Sequence, residues 1–255
     1  MWKYIYGPVP SWRLGSSLGI DLLSCEDKIC SFDCTYCQIG RTSSYITERE
    51  VYVPAEAVIE ELKALPETQI DYITFSGRGE PTLAKNLGEA IKAVRALRKE
   101  PIAVLTNSSL MDKKEVREEL SLADFVAVKL DGASEKSVEL INKPAPGIGF
   151  EAIFNGLKEF RREYGGQLAL QIMFIDENKE DAGKLAELCA KIRPDEVQIN
   201  TPLRPCGVKP LSREEILKVK GYFKGMRVVS VYDAEHKEVR PLSPDDTLKR
   251  RGKIL

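Results

Sequence analysis

At 255 residues, with 38 basic against 39 acidic side chains and a net charge of −1, the chain can bury one large core and carries no global basic field for nucleic acid or an anionic membrane. No apolar run approaches the roughly 18 residues of a membrane helix, and Met1-Trp2-Lys3-Tyr4 leads into Gly7-Pro8-Val9-Pro10 rather than into the apolar core of a secretory leader. Six cysteines, three of them within eight residues, read as metal or redox chemistry in a reduced, cytoplasmic compartment rather than as a disulfide framework.

In chain order, residues 1–17 form a Pro/Gly-rich segment ahead of a first strand at 18–23, which runs into the cysteine loop. Apolar spacing of three and four predicts a helix over 54–65 (Val58, Ile59, Leu62, Leu65), a strand over 70–75 and a helix over 83–98 with Leu87, Ile91, Val94 and Leu97 on one face. The pattern repeats: strand 102–105, helix 113–120, strand 125–130, helices 134–141 and 150–164, strand 167–175, helix 179–192, strand 197–200, helix 213–223, strand 228–231. Residues 233–255 are a polar tail, whose Lys249-Arg250-Arg251-Gly252-Lys253 reads as a solvated end or as a basic patch.

Such alternation predicts an α/β fold with a parallel sheet, right-handed crossovers and outer helices, curled into a partial (β/α)6 barrel over a single domain spanning 1–255. In these folds the chemistry lies past the C-terminal strand ends. Those ends carry the cysteine loop, Ser76-Gly77-Arg78-Gly79-Glu80, Thr106-Asn107-Ser108, Asp131, Asn200 and Arg204.

Cys30-Ser31-Phe32-Asp33-Cys34-Thr35-Tyr36-Cys37 offers three thiolates at C-x3-C-x2-C spacing. Structural zinc sites and ordinary electron-transfer clusters are closed by four protein ligands, whereas three thiolates on a cubane leave one iron open for chemistry. Cys25 offers a fourth ligand, so a closed, non-catalytic iron–sulfur or zinc module stands beside the open site as a reading.

The three-cysteine loop after the first strand, followed by a Gly-Arg-Gly-Glu-Pro turn after the second, resembles the radical S-adenosylmethionine (radical SAM) superfamily over residues 18–232. The resemblance implies a [4Fe–4S] cluster on Cys30, Cys34 and Cys37, with S-adenosylmethionine on the fourth iron. A flavodoxin- or ferredoxin-like donor would supply the electron that releases a 5′-deoxyadenosyl radical. It implies Tyr36 near the adenine, and Gly77, Gly79 and Glu80 around the methionyl amine, against a tight turn capping the next helix. Asn107, Ser108 and Asp131 would meet the ribose hydroxyls or carboxylate, against helix capping; Asn200 and Thr201 would lie on the adenine side. Arg204 would hold an anionic substrate or the carboxylate, against a rim salt bridge.

Cys206 would deliver a hydrogen atom or join Cys25 at an auxiliary site. Cys189 reads as core, and His236 as a polar-stretch residue with no metal role. Three segments narrow the likeness to small, stand-alone wyosine-synthase-like proteins: Gly7-Pro8-Val9-Pro10-Ser11-Trp12-Arg13-Leu14-Gly15, Thr201-Pro202-Leu203-Arg204-Pro205 and Thr247-Leu248-Lys249-Arg250-Arg251-Gly252. Trp12 departs from the Ser-Arg-Arg-Leu-Gly of that subgroup. The resemblance points to a tRNA base as substrate, held by a strip of Arg13, Arg41, Arg78, Arg204 and the tail. The second reading is a partner protein activated by hydrogen abstraction.

Overall fold

The computed structural model describes residues 2–234 and 237–251. Its sheet holds eight strands in chain order: β1 (Ile5–Ser11), β2 (Gly15–Ile20), β3 (Tyr72–Phe75), β4 (Ile102–Leu105), β5 (Phe125–Lys129), β6 (Gln167–Met173), β7 (Glu196–Asn200) and β8 (Val228–Ser230). From β2 to β8 every pairing is parallel; β1 is antiparallel to β2 and forms an edge. Helices α1 (Ala55–Lys63), α2 (Leu87–Leu97), α3 (Lys114–Leu120), α4 (Glu135–Ile141), α5 (Phe150–Glu163), α6 (Ala182–Ile192) and α7 (Arg213–Lys220) fill the crossovers. The partial barrel expected from the alternation is the fold observed. No helix among the described residues is long and apolar enough to cross a membrane.

The strands explain both the core and the cavity by their two-residue alternation. Ile102 and Val104, Val126 and Val128, and Leu168, Leu170 and Ile172 join the large core that also takes Leu87, Ile91 and Val94 of α2 and Leu157 and Phe160 of α5. The intervening residues Ala103, Ala127 and Ala169 form a second, smaller cluster with Leu14 and Phe125. Large side chains thus fix the helices to one face, and small ones leave space on the concave face. Residues from β1 (Val9, Ser11), β2 (Ser17), β3 (Thr74), β4 (Leu105), β6 (Met173) and β7 (Asn200) all line one cavity of about 490 Å³, which requires the sheet to curl around it.

Two parts of the chain differ from expectation. Within the Pro/Gly-rich segment, residues 5–17 belong to a β-hairpin, and the strand expected at 18–23 begins at Gly15 and ends at Ile20. Pro8 and Pro10 are tolerated because β1 is an edge, where a missing N–H breaks no inner ladder, and the register shifts between Tyr6 and Val9. The hairpin tip closes by Ser11 Oγ accepting from the amides of Arg13 and Leu14 (3.3 and 3.2 Å), with Gly15 at φ +66°.

Within the tail, read as a solvated end or as a basic patch, residues 244–251 form a docked helix, α8 (Pro244–Arg251), against β1. Arg250 is buried and donates to Asp21 Oδ2 (3.2 Å), Ser24 Oγ (2.7 Å), the carbonyl of Lys3 and, within α8, the carbonyl of Asp246 (3.1 Å). His236, Gly252 and Lys253 lie outside the described residues. Smaller differences fall at helix starts: 81–83 and 179–181 are single 3₁₀ turns ahead of α2 and α6.

Candidate active site

The cysteine loop is pinned from two sides. On one, Ile29 bridges Gly79 in parallel register: Ile29 N donates to Arg78 O (3.2 Å) and Glu80 N to Ile29 O (2.9 Å). A Cβ on Gly79 would stand 1.6 Å from that same Ile29 oxygen, so this contact requires glycine. Gly77 makes room likewise, since its Cβ would meet the Asp21 carboxyl. On the other side Phe32 bridges Pro144, Asp33 N donates to the carbonyls of Asn142 and Lys143 (both 3.1 Å), and Thr35 N donates to Ile141 O (2.9 Å). The loop therefore hangs between the turn after β3 and the end of α4.

Each of the three sulfurs meets an N–H donor. Asn107 Nδ2 lies 3.7 Å from Cys30 Sγ, Asn142 Nδ2 lies 3.4 Å from Cys34 Sγ, and Lys28 Nζ donates to Cys37 Sγ at 3.1 Å. Burial, followed by the neighbouring Cys34, pushes the Cys30 thiol up to about 12; burial also raises Cys34 against the pull of Lys129. Burial lowers the Lys28 ammonium, but the sulfurs of Cys37, Cys30 and Cys34 outweigh it and raise the group above its ordinary value. Among the described residues no three His, Cys, Asp or Glu side chains converge on a single ion.

Three thiols on one loop, each met by an N–H and sharing one ammonium, are nonetheless the donor set that suits an iron–sulfur cluster, whose sulfurs are stabilised by such bonds. Cys25 stands apart: Arg78 Nη1 donates to its carbonyl (2.9 Å), and the charges that bear on its thiol are those of Asp21, Arg78 and Asp27.

The remaining expected residues divide into those that face the cavity and those that hold the frame. Tyr36, Gly77, Asn200, Thr201 and Arg204 line the cavity, beside Cys37. Glu80 does not: its buried carboxylate accepts from Thr82 N and Oγ1 (3.1 and 2.7 Å), Thr106 Oγ1 (2.6 Å) and Asn107 N. It caps the 3₁₀ turn and ties the end of β3 to the end of β4, the capping arrangement left open for this turn. Ser108, at φ +70° and fully buried, accepts from Lys129 N (2.8 Å). Asn107 turns toward Cys30 and Ser31.

Asp131 is buried beneath Tyr36. It accepts from the Tyr36 hydroxyl, from Asn142 Nδ2 (2.9 Å) and from Met173 N (2.7 Å), with Lys129 Nζ 3.4 Å away. Burial, then the Asp131 charge, raises the Tyr36 phenol well above its ordinary value, so it stays protonated and donates. Cys206 gives its thiol hydrogen to Val208 O (3.3 Å) and packs with Cys34 against Tyr36, Ile141, Met173 and Ile175 rather than lining the cavity. Cys189 is fully buried core.

Lys28, Lys129 and Asn142 escape a reading of the sequence. Lys28 could be suspected from its place two residues before Cys30; nothing local marks the other two. Of the proposed arginine strip, Arg41 points outward beside Asp33 (3.6 Å), and Arg78 clamps the carbonyls of Cys25 and Glu26. Arg13, Arg204, Arg250 and Arg251 line the cavity.

Comparison with known proteins agrees with this geometry. The family model described as the Radical SAM superfamily matches residues 28–189. UPF0026 protein slr1464 of Synechocystis is 44% identical over 213 residues, 82% of this chain and 78% of that protein. The structure of Streptococcus suis SuiB bound to S-adenosylmethionine superposes with a TM-score of 0.63 at 16% identity over 80% of this chain, which spans 48% of SuiB, about half its length. Archaeal TYW1 superposes with a TM-score of 0.58 at 18% identity over 86% of this chain and 74% of its own. Matched by the family model over more than half its length, the chain belongs to the radical SAM superfamily, enzymes that bind S-adenosylmethionine and turn the 5′-deoxyadenosyl radical drawn from it on a substrate that differs between members.

Proposed function

We propose that this chain holds a [4Fe–4S] cluster on Cys30, Cys34 and Cys37, binds S-adenosylmethionine beside it, and acts on a nucleotide-type substrate, with a tRNA base as the first to test. The observation that carries the reading is the cysteine loop itself: three thiols, each within reach of an N–H donor, one of them opening into the cavity. When bound, such a cluster supplies the electron that cleaves the sulfonium to methionine and the 5′-deoxyadenosyl radical.

The protein's part is placement and exclusion. Tyr36, fixed by Asp131, Asn142 and Lys129, presents its ring to the cavity next to Cys37. Leu105, Met173 and Ile39 wall the same space with apolar surface that keeps water from a reactive species. Asn200, at the end of β7, offers an amide to a base edge. The tRNA reading leans on the subgroup likeness of residues 7–15 and 201–205 and on the arginines that line the cavity. A flavodoxin- or ferredoxin-like protein is proposed as electron donor, and residues 1–255 as one core domain.

Two outcomes follow. Lys28→Met removes the ammonium and its bond to Cys37, each of which favours the more negative, reduced state. Only the part of that bond that strengthens on reduction counts, so with a charge-assisted bond of about 1.5–3 kcal/mol the one-electron potential falls by up to roughly 60–130 mV. A redox titration of reconstituted protein followed by EPR reads this, and an unchanged or raised potential contradicts it. Unmodified tRNA added with S-adenosylmethionine and reductant should raise 5′-deoxyadenosine release roughly tenfold or more over the substrate-free rate, in line with a barrier lowered by about 1.4 kcal/mol or more. No stimulation by tRNA removes that substrate.

A further inference from the structure

Arg13, Arg204 and Arg251 come from three distant parts of the chain: the β1–β2 hairpin tip, the loop after β7 and the end of α8. All three line the same cavity. Among the described residues none has a carboxylate partner, in contrast to neighbouring Arg250, which is paired with Asp21. Arg13 rests on Trp12, 4.5 Å from guanidinium carbon to ring centre, and its buried Nε has no hydrogen-bond partner. Arg204 Nη1 donates to the carbonyl of Arg251 (3.0 Å) and lies 3.4 Å from Gln38 Oε1, neither of which carries charge. The acidic group whose charge reaches Arg13 is Glu196, and it is already engaged by Arg227 (3.3 Å) and Gln198 (2.9 Å).

The electrostatics agree. Burial, then the charges of Arg251 and Arg204, pulls Arg13 down to about 9; burial, then Arg251, pulls Arg204 down to about 10. Guanidinium stays protonated in proteins, so these shifts register first the cost of burying the two groups and then that of like charges brought together without a counter-ion.

Three forked donors converging without an acid describe an anion receptor. The methionyl carboxylate of S-adenosylmethionine has one negative charge and needs one of them. A phosphate group, with up to two charges and three free oxygens, satisfies all three. We propose that Arg13, Arg204 and Arg251 form a receptor for a phosphate group of the substrate, which turns the rest of that substrate toward Tyr36 and Cys37. The proposal deepens the nucleotide reading above and rests on it for the reaction, but the receptor needs no cluster to bind. The phosphate belongs either to a free mononucleotide or to the terminal phosphate of an RNA, because a backbone diester carries only one charge and two free oxygens.

Titration calorimetry of the full chain, at fixed salt, with inorganic phosphate, GMP and a short 5′-phosphorylated RNA, alongside S-adenosylmethionine, tests it. Binding of at least one phosphate probe is expected. It should weaken roughly tenfold to a hundredfold in each of Arg13→Gln, Arg204→Gln and Arg251→Gln, the loss of one charge-assisted contact. Affinity for S-adenosylmethionine should stay within about twofold. Tighter GMP points to a free nucleotide, and binding of the RNA alone points to a terminal RNA phosphate; both support the receptor.

Arg13→Gln is the cleanest variant, because its guanidinium donates no described hydrogen bond, and a melting curve checks each protein. No binding of any probe, binding indifferent to all three substitutions, or loss of S-adenosylmethionine affinity in their place overturns the proposal. Phosphate binding that follows these substitutions in a protein with no S-adenosylmethionine-sensitive cluster would leave the receptor standing and remove the radical reading.

Discussion

Gly79→Ala is expected to detach the cysteine loop from the sheet and to lower both stability and iron loading. The added methyl would stand 1.6 Å from Ile29 O, a backbone atom that no side-chain rotation can move aside. Relief requires the Ile29–Gly79 bridge to open, and with it the bonds from Ile29 N to Arg78 O and from Glu80 N to Ile29 O. Two backbone bonds at about 1 kcal/mol each, with residual overpacking of about 1–3 kcal/mol, sum to about 3–5 kcal/mol. Cys30 follows Ile29 directly, so the displaced backbone carries the first sulfur away from Asn107. Urea unfolding and iron content after anaerobic reconstitution read the two effects. Gly165→Ala, where a Cβ meets nothing within 4 Å, is the neutral control. Equal stability and iron content in Gly79→Ala and wild type would contradict this role of the turn.

Arg250→Ala should be nearly as damaging, and its cost should depend on pH. Asp21 and Arg250 form a pair with 1% and 5% side-chain exposure, and removing one member strands the other. Such losses run to about 3–5 kcal/mol. Burial raises the Asp21 carboxyl above its ordinary value while Arg250 opposes the rise. Without Arg250 the folded value climbs further.

A carboxyl that holds its proton more tightly folded than unfolded destabilises the fold above its unfolded value of about 3.9, and that contribution vanishes below it. The penalty of Arg250→Ala should therefore be largest near neutral pH and shrink toward about pH 4. Asp21→Asn in the same background should recover part of the loss at pH 7. Unfolding midpoints at pH 7 and pH 5 measure it, and a penalty that grows on acidification would contradict the assignment.

The local motifs were legible because their chemistry is consecutive. C-x3-C-x2-C and Gly-Arg-Gly-Glu-Pro lie within single loops, and the helix faces of α1 and α2 follow from spacing alone. What escaped was long-range. Asn142 reaches Cys34 across 108 positions, and Arg250 reaches Asp21 across 229, so only the fold brings them together. The tail read as solvated because its eight-residue helix has no apolar stripe; its burial comes from a paired charge and a hydrogen-bonded guanidinium instead. Pro8 and Pro10 would break an inner strand; β1 carries them because it is an edge. Glu80 was found by its motif, yet the hydroxyls of Thr82 and Thr106, supplied by neighbouring turns, hold its carboxylate in the frame.

The most direct test of the whole account is EPR of the anaerobically reconstituted, dithionite-reduced protein before and after S-adenosylmethionine, with the products assayed for 5′-deoxyadenosine. A [4Fe–4S] signal that changes on adding S-adenosylmethionine, disappears when Cys34 is replaced by Ala, survives Cys25→Ala and is accompanied by 5′-deoxyadenosine is the predicted result. A centre indifferent to S-adenosylmethionine that needs Cys25 to assemble would contradict it and make the loop a closed structural or redox site.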